Sequence, residues 1–283
     1  MRSPSTWLLT AVTMLAFAAN SVLCRMALRH ASMDPASFTL VRIASGALML
    51  WIIATISGHG AKRSGNWISA ASLVGYAAAF SFAYVLLPVG TGALLLFGAV
   101  QATMILRGLI SGERLNGPQV IGFVIAVFGL VLLVLPGLSA PPLASALLMA
   151  FAGVCWGVYS LRGRRSADPL ATTAGNFLRA IPLAAVISIF YLRATHISLA
   201  GIIFAVASGA LASGLGYSIW YAALRGLTAT RAAVVQLSVP VIAALAGVSF
   251  LGERISIRLA ISSVAVLGGI ALFVLESKQA RAR

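Results

Sequence analysis

The 283-residue chain has few side chains that could carry out chemistry or hold a metal ion. It contains five acidic residues, three histidines and two cysteines. It has no zinc-site spacing, no phosphate-binding glycine loop and no nucleophile placed beside a base. These absences argue against an enzyme and predict neither a cofactor nor a metal. Cys24 and Cys155 fall inside apolar runs, where packing is expected rather than a disulfide.

Charge is also scarce. Only 9% of residues are charged, against roughly 25% in a soluble domain. Hydrophobic residues make up 60% of the chain, and the mean hydropathy is +1.02. One globular core could not bury so much apolar surface, so the composition predicts an all-α integral membrane protein whose helices satisfy their own backbone groups in lipid.

A bilayer core of about 30 Å needs about 20 helical residues per crossing. Apolar runs of that length, separated by short polar breaks, predict ten transmembrane helices. Their bounds are 6–28, 35–57, 66–87, 90–110, 117–136, 141–162, 169–192, 197–223, 228–250 and 256–276. Asp34-Pro35 and Asp168-Pro169 are typical helix starts.

The chain is a duplicated unit. Gly112-Glu113-Arg114-Leu115 and Gly252-Glu253-Arg254-Ile255 each lie between two apolar runs, 140 residues apart. We therefore predict two repeats of five helices, residues 1–138 and 139–283. Because five is odd, the second repeat enters the membrane from the opposite side. Inverted repeats of this kind are the plan of many secondary transporters, which bind substrate between the repeats.

The positions of Lys and Arg predict the orientation. If the amino terminus is cytoplasmic, thirteen of these residues lie inside and five lie outside, the latter being Arg25, Arg29, Arg193, Arg254 and Arg258. Cytoplasmic loops carry such an excess, so both termini are predicted to be cytoplasmic. The net charge of +15 is then a topology signal combined with attraction to anionic lipid. Nucleic acid is not an expected partner.

Two arginines lie deep inside predicted helices, whereas the others lie in loops or within a few residues of a helix end. Arg42 and Arg179 are 137 residues apart, so they occupy equivalent positions in the two repeats. An arginine in lipid is costly and is therefore a candidate for function. One hypothesis is that the pair holds an anionic group of a substrate in the cavity. The alternative, which we favour, is that each donates hydrogen bonds to neighbouring carbonyls and fixes the helices.

Polar and aromatic side chains inside the membrane usually face the interior of the bundle. The candidates for a substrate site are Asn20, Tyr76, Tyr84, Gln101, Trp156, Tyr159, Asn176, Tyr217, Trp220, Tyr221 and Gln236. Any one of them could instead make a helix–helix hydrogen bond or simply pack. A cavity lined by rings and a few amides would suit an aromatic or hydrophobic amino acid.

Glu113 and Glu253 also allow two interpretations. Each could form an ion pair that is made and broken as a gate on its own face of the membrane. The alternative, which we favour, is a tight turn with the carboxylate near the start of the next helix.

The second repeat resembles a known family. The run from Tyr221 to Gln236, with Pro240, Gly252-Glu253-Arg254 and Gly268-Gly269, is similar to the EamA repeat of the drug/metabolite transporter superfamily. The first copy fits less closely, since Val100 stands where the second copy has Pro240.

This resemblance implies a ten-helix carrier of the bacterial inner membrane with a central cavity, similar to YddG-type aromatic amino-acid exporters. We expect a secondary transporter that exports small metabolites, in particular aromatic or hydrophobic amino acids, by alternating access. All five acidic residues and all three histidines are placed in loops or at helix ends, which predicts facilitated diffusion without ion coupling. The alternatives are a proton-coupled drug or nucleobase exporter, a channel, an intramembrane enzyme, and a receptor or sensor.

Overall fold

A computed structural model describes residues 4–58, 64–112, 114–137, 140–163, 166–224, 226–227 and 229–282. Within these ranges, ten helical segments are long and apolar enough to cross a membrane. This number confirms the prediction of ten transmembrane helices. The crossings match the predicted spans to within a few residues, and the helix of the last crossing continues beyond its predicted end to Ala282.

The first repeat contains α1 (Pro4–Arg25), α2 (Pro35–Ile56), α3 (Trp67–Tyr84), α4 (Val89–Ile110) and α5 (Gly117–Val134). In the second repeat, α6 (Leu143–Gly163) and α7 (Pro169–Phe190) are followed by an eighth crossing made of α8 (Leu199–Val206), a π-helical segment (Ala207–Leu215) and α9 (Gly216–Leu224). The ninth crossing combines α10 (Ala229–Gln236) and α11 (Ser238–Leu251), and the tenth is α12 (Ile257–Ala282).

Local sequence signals fix several helix ends. Asp34 accepts a hydrogen bond from the Ser37 amide at 2.8 Å, and Asp168 accepts one from the Ala171 amide at 3.0 Å. Each caps a helix whose first residue is proline, so the two predicted starts are confirmed. Gly252 ends α11 at φ +63°, a left-handed conformation that glycine adopts without strain.

The packing of the helices follows the duplication. The second helix of one repeat packs on the second of the other, α2 on α7, and the fifth packs on the fifth, α5 on α12. The contact of α3 with α6 has its counterpart in the contact of α1 with the eighth crossing. Likewise, α4 packs on α6 while α11 packs on α1. Counterpart helices are five crossings apart and therefore run in opposite directions, as expected of inverted repeats.

Small residues allow two of these helices to approach closely. A Cβ atom added to Gly122 of α5 would lie 2.6 Å from the Gly269 carbonyl oxygen of α12. One added to Gly129 would lie 2.8 Å from the Ala265 side chain. In lipid, such close backbone contact is a main source of helix association.

The structure also differs from the sequence-based expectation in three places. His30, assigned to a loop, is the last residue of a π-helical turn, Met26–His30, that extends α1. The eighth crossing contains the longer π-helical segment, and the ninth is interrupted at Leu237. Residues Glu113 and His59 lie outside the described ranges.

Candidate functional site

A chain of buried hydrogen bonds lies between the two repeats. Ser208 in the π-helical segment donates to the Asn20 side-chain oxygen at 2.5 Å, and the Asn20 amide donates to the Tyr76 hydroxyl at 3.2 Å. The Arg42 guanidinium donates to the same hydroxyl from Nη2 at 2.8 Å. These bonds join α1, α2, α3 and the eighth crossing at one point.

Aromatic rings surround this polar chain. The Arg42 Cζ atom lies 5.1 Å from the centre of the Tyr76 ring and 4.9 Å from that of Phe80. Trp156 lies 4.9 Å from Tyr76, ring centre to ring centre, and 5.2 Å from Tyr217. The full set, here named the Arg42 cluster, is Phe17, Asn20, Arg42, Tyr76, Phe80, Trp156, Tyr159, Phe177, Ser208, Tyr217 and Trp220.

Every member of the Arg42 cluster comes from the first three crossings of a repeat: α1, α2 and α3 in one, and α6, α7 and the eighth crossing in the other. It therefore lies at the repeat interface, where secondary transporters bind substrate. Seven sequence-predicted candidates belong to it: Asn20, Arg42, Tyr76, Trp156, Tyr159, Tyr217 and Trp220.

Two donor groups in the Arg42 cluster are available to bind a ligand. Arg42 is 2% exposed, and its Nη1 group has no hydrogen-bond partner among the described residues. The Tyr76 oxygen accepts from both Asn20 and Arg42, so both of its lone pairs are used and its own proton remains available to donate. A carboxylate placed here could accept one hydrogen bond from each group. Buried donors are rarely left unsatisfied without a functional reason.

The π-helical segment brings the second repeat against Arg42. Because Gly209 has no side chain, its backbone lies directly on the Arg42 carbonyl. A Cβ atom added to Gly46, one helical turn further along α2, would lie 3.0 Å from the Gly209 carbonyl oxygen. The extra residue of a π-helical turn shifts the phase of the helix, and such turns are frequent at functional sites. Ser208 reaches Asn20 from this segment.

A second arginine site lies at one end of the bundle. Arg25 donates from Nη1 to the carbonyl oxygens of Tyr84 and Val85 at 2.7 and 2.8 Å, and its Nε forms an ion pair with Glu253 Oε1 at 3.4 Å. The other oxygen of Glu253 accepts from the Val89 amide at 2.7 Å. We name these residues the Arg25 cluster. It ties α1, the α3–α4 connection and the end of α11 together.

The Arg25 cluster contains both features considered for Glu253. The tight turn is present at Gly252, and the carboxylate also takes part in an ion pair between the repeats. Tyr84, a sequence-predicted site residue, borders both clusters. Its ring centre lies 4.7 Å from that of Phe80, whereas its hydroxyl donates to the Val89 carbonyl at 3.2 Å.

Other predicted residues lie outside the Arg42 cluster. Arg179 donates from Nη1 to the carbonyl oxygens of Ser64 at 2.5 Å and Gly175 at 2.9 Å, the arrangement expected of a structural arginine. Gln101 is buried on α4 and Gln236 is half-buried on α10. Neither glutamine side chain forms a hydrogen bond within the described part of the chain.

The two remaining candidates form bonds near Arg179. Asn176 accepts a hydrogen bond from the Asn66 amide at 2.9 Å, and the Tyr221 hydroxyl lies 2.9 Å from that of Thr173. These are helix–helix and helix–loop contacts, one of the alternatives considered for each candidate.

Sequence reasoning missed several members of the two clusters. Phe17, Phe80 and Phe177 were not candidates because phenylalanine has no polar atom. The spacing of Tyr76, Phe80 and Tyr84 at four-residue intervals places them on one face of α3, a signal that could have found Phe80. Arg25 was counted among the outside charges, but it is buried at the end of α1.

The fold and this site define a multi-pass helical membrane protein with a polar, aromatic centre between two inverted repeats. Two stretches, residues 5–135 and 143–275, match the EamA-like transporter family. The chain belongs to this family, part of the drug/metabolite transporter superfamily, and is therefore a membrane transporter rather than an enzyme.

Individual relatives agree with this assignment. An uncharacterised protein of Pseudomonas aeruginosa is 55% identical over 270 residues, covering 95% of this chain and 94% of that protein. An uncharacterised transporter of Archaeoglobus fulgidus is 28% identical over 294 residues, covering 97% and 99%. A crystal structure at 21% identity has the same fold, with a TM-score of 0.68 and coverage of 99% of both chains.

Proposed function

We propose that this transporter exports small metabolites across the bacterial plasma membrane, with aromatic or hydrophobic amino acids as the first candidates. The observation that carries the proposal is the buried Nη1 group of Arg42, which has no hydrogen-bond partner among the described residues and lies among aromatic rings at the repeat interface. A guanidinium binds carboxylates well, and rings suit an apolar side chain. The resemblance to YddG-type exporters points to the same substrates.

Alternating access would expose the Arg42 cluster to each side of the membrane in turn. The Arg25 cluster joins the two repeats at one end of the bundle, so it is placed to close that end. If both termini are cytoplasmic, this end faces outward. Single cysteines introduced beside Glu113 and Glu253, in a cysteine-free background, should then be labelled from opposite faces of the membrane. Labelling from the same face would contradict the inverted-repeat topology.

Transport itself is tested with purified protein in liposomes. Labelled phenylalanine or leucine should exchange across the membrane with saturable kinetics, and unlabelled amino acids should compete more strongly than nucleobases. Saturation would distinguish a carrier from a channel. Binding without flux would favour a receptor, and stronger competition by nucleobases would favour the alternative exporter class.

We further propose facilitated diffusion. No acidic or histidine side chain belongs to the Arg42 cluster, and ion-coupled carriers usually keep such a group within the membrane. With the membrane potential held at zero, substrate should equilibrate without accumulation, whether or not a proton or sodium gradient is imposed. Accumulation that an ionophore abolishes would contradict this mechanism.

A further inference from the structure

The Arg42 cluster carries a positive charge without an anionic partner. Among the described side chains, the one ion pair joins Arg25 and Glu253, and no carboxylate lies against Arg42. Two other described acids are engaged elsewhere, with Asp34 bound to backbone amides of Ser37 and His196, and Asp168 capping α7. A buried charge is expensive unless it is paired. A bound anion would supply the missing partner.

The available donors match a carboxylate. Arg42 Nη1 and the Tyr76 proton both belong to groups held in place by the bond from Arg42 to Tyr76. Asn20 and Ser208 fix the Tyr76 hydroxyl from the other side, with Asn20 donating to it and Ser208 donating to Asn20. The site is thus preorganised to donate and offers no carboxylate to receive an ammonium group.

An ammonium group would meet an unfavourable environment here. In an amino acid it is attached one carbon from the carboxylate, so it would lie close to the guanidinium that binds that carboxylate. Two like charges repel strongly at such distances in a site of low dielectric constant. The ring faces nearest to this point, those of Tyr76 and Phe80, are already occupied by Arg42 itself.

We infer that the Arg42 cluster selects a substrate with a single negative charge, an aromatic or hydrophobic carboxylate without an ammonium group, over the zwitterionic amino acid with the same side chain. The inference rests on the proposed export of small metabolites through this site, and it replaces amino acids with carboxylates that lack an ammonium group as the preferred substrates. It also sets a driving force: each transported anion moves one negative charge. A membrane potential that is negative inside therefore favours export.

Three compounds that share a phenylethyl group test this inference. Phenylpropanoate is an anion, phenylalanine is a zwitterion and phenethylamine is a cation. Binding to the wild-type protein in detergent, measured by ligand-induced thermal stabilisation, should be strongest for phenylpropanoate. Because a positive charge beside the guanidinium opposes binding, half-saturation should occur at a concentration lower by about tenfold or more than for phenylalanine. Phenethylamine should not stabilise the protein.

The charge that moves is measured as current across a protein-containing membrane. Phenylpropanoate should give a saturable current, to which diffusion of the neutral acid through lipid contributes nothing. Protein-free membranes provide the background. Phenylalanine should give little or no current.

Two variants test whether the preference for phenylpropanoate over phenylalanine depends on Arg42. Arg42→Gln should abolish the advantage of phenylpropanoate over phenylalanine, whereas Arg179→Gln, at the equivalent position of the second repeat, should keep it. Should Arg42→Gln fail to fold, Tyr76→Phe replaces it and should weaken binding of both carboxylates while preserving their order.

The outcomes separate the two proposals. Phenylalanine binding as tightly as phenylpropanoate, with electrically silent transport, would overturn the inference and leave the proposed function intact. Retention of the anion preference in Arg42→Gln would also overturn it. Failure of both carboxylates to bind or move would overturn the inference and the proposed function together.

Discussion

The Arg25 and Arg42 clusters show two ways of burying an arginine in one membrane protein. Arg25 donates to two carbonyl oxygens and pairs with Glu253. Arg42 donates to one hydroxyl and keeps Nη1 without a partner among the described residues. Both arginines are buried. The difference in hydrogen bonding indicates that Arg25 holds helices together, and it supports the proposal that Arg42 binds a ligand.

The largest expected effect on stability is that of Arg25→Gln. The change leaves the Tyr84 and Val85 carbonyl oxygens without their donor and Glu253 without its cation. Removing one partner of a buried ion pair costs about 3–5 kcal/mol. We expect a clear fall in the thermal unfolding temperature of the purified protein. Arg29→Gln is the matched control, since Arg29 is exposed four residues later, and should change stability by less than about 0.5 kcal/mol.

Equal unfolding temperatures for the two variants would contradict a structural role of Arg25. A large change in transport without loss of stability would instead favour the interpretation that the pair with Glu253 is a gate that opens and closes.

Arg42→Gln should affect transport more than thermal stability. It removes a charge-assisted hydrogen bond to substrate, worth up to about 3 kcal/mol, so transport of carboxylate substrates should fall about 100-fold. Thermal stability should change less than in Arg25→Gln, because among the described residues the guanidinium makes one hydrogen bond, to Tyr76, besides its contacts with the Tyr76 and Phe80 rings. Initial rates in liposomes and unfolding curves test both parts. Arg42→Lys keeps the charge but lacks the planar fork, so an intermediate rate is expected.

Trp156→Ala should have a smaller effect. The sequence alone predicts that Trp156→Ala, Trp220→Ala and Gln101→Ala all lower transport without loss of stability. In the structure, the half-buried ring of Trp156 touches Tyr76, Tyr159 and Tyr217. Loss of such a ring from a binding site costs about 1.4 kcal/mol, or tenfold in transport.

Gln101→Ala is the comparison for Trp156→Ala, because Gln101 is buried without a bond to the Arg42 cluster. It should lower transport less than Trp156→Ala does. Equal losses would extend the site to α4. Unfolding of the Trp156 variant would favour the interpretation that its ring serves packing alone.

Much of this fold was predictable because the relevant signals are local. Hydropathy locates ten crossings, and Asp34 and Asp168 mark helix starts by chemistry confined to three residues. The rotation of each helix about its axis is not local. Most crossings are apolar on every side, so periodicity does not show which face lies inward. For that reason the sequence named Tyr76 and Trp156 as candidates but did not distinguish them from Gln236.

Local sequence signals also did not predict the π-helical segment or the break at Leu237. Ala207–Leu215 is rich in small residues, which predicts close packing but not the wider helical turn. Within this segment Gly209 packs against Arg42, a contact between residues that are distant in sequence. Arg25 was counted only as an outside charge because its partners, the Tyr84 and Val85 carbonyls and Glu253, are distant in sequence and one of them belongs to the other repeat.

The smallest expected effect is that of Arg179→Lys. Arg42 and Arg179 occupy equivalent positions in the two repeats, yet among the described residues Arg179 donates to the Ser64 and Gly175 carbonyl oxygens, both through Nη1. A lysine ammonium at this position keeps the charge and can donate to at least one of these oxygens. Stability should fall by about 0.5–1.5 kcal/mol, the value of one hydrogen bond, with transport unchanged. Arg42→Lys is the matched comparison, since the same substitution there should lower transport. Equal transport losses at the two positions would show that the duplicated arginines share one role, and would remove the distinction between a structural arginine and a ligand-binding one.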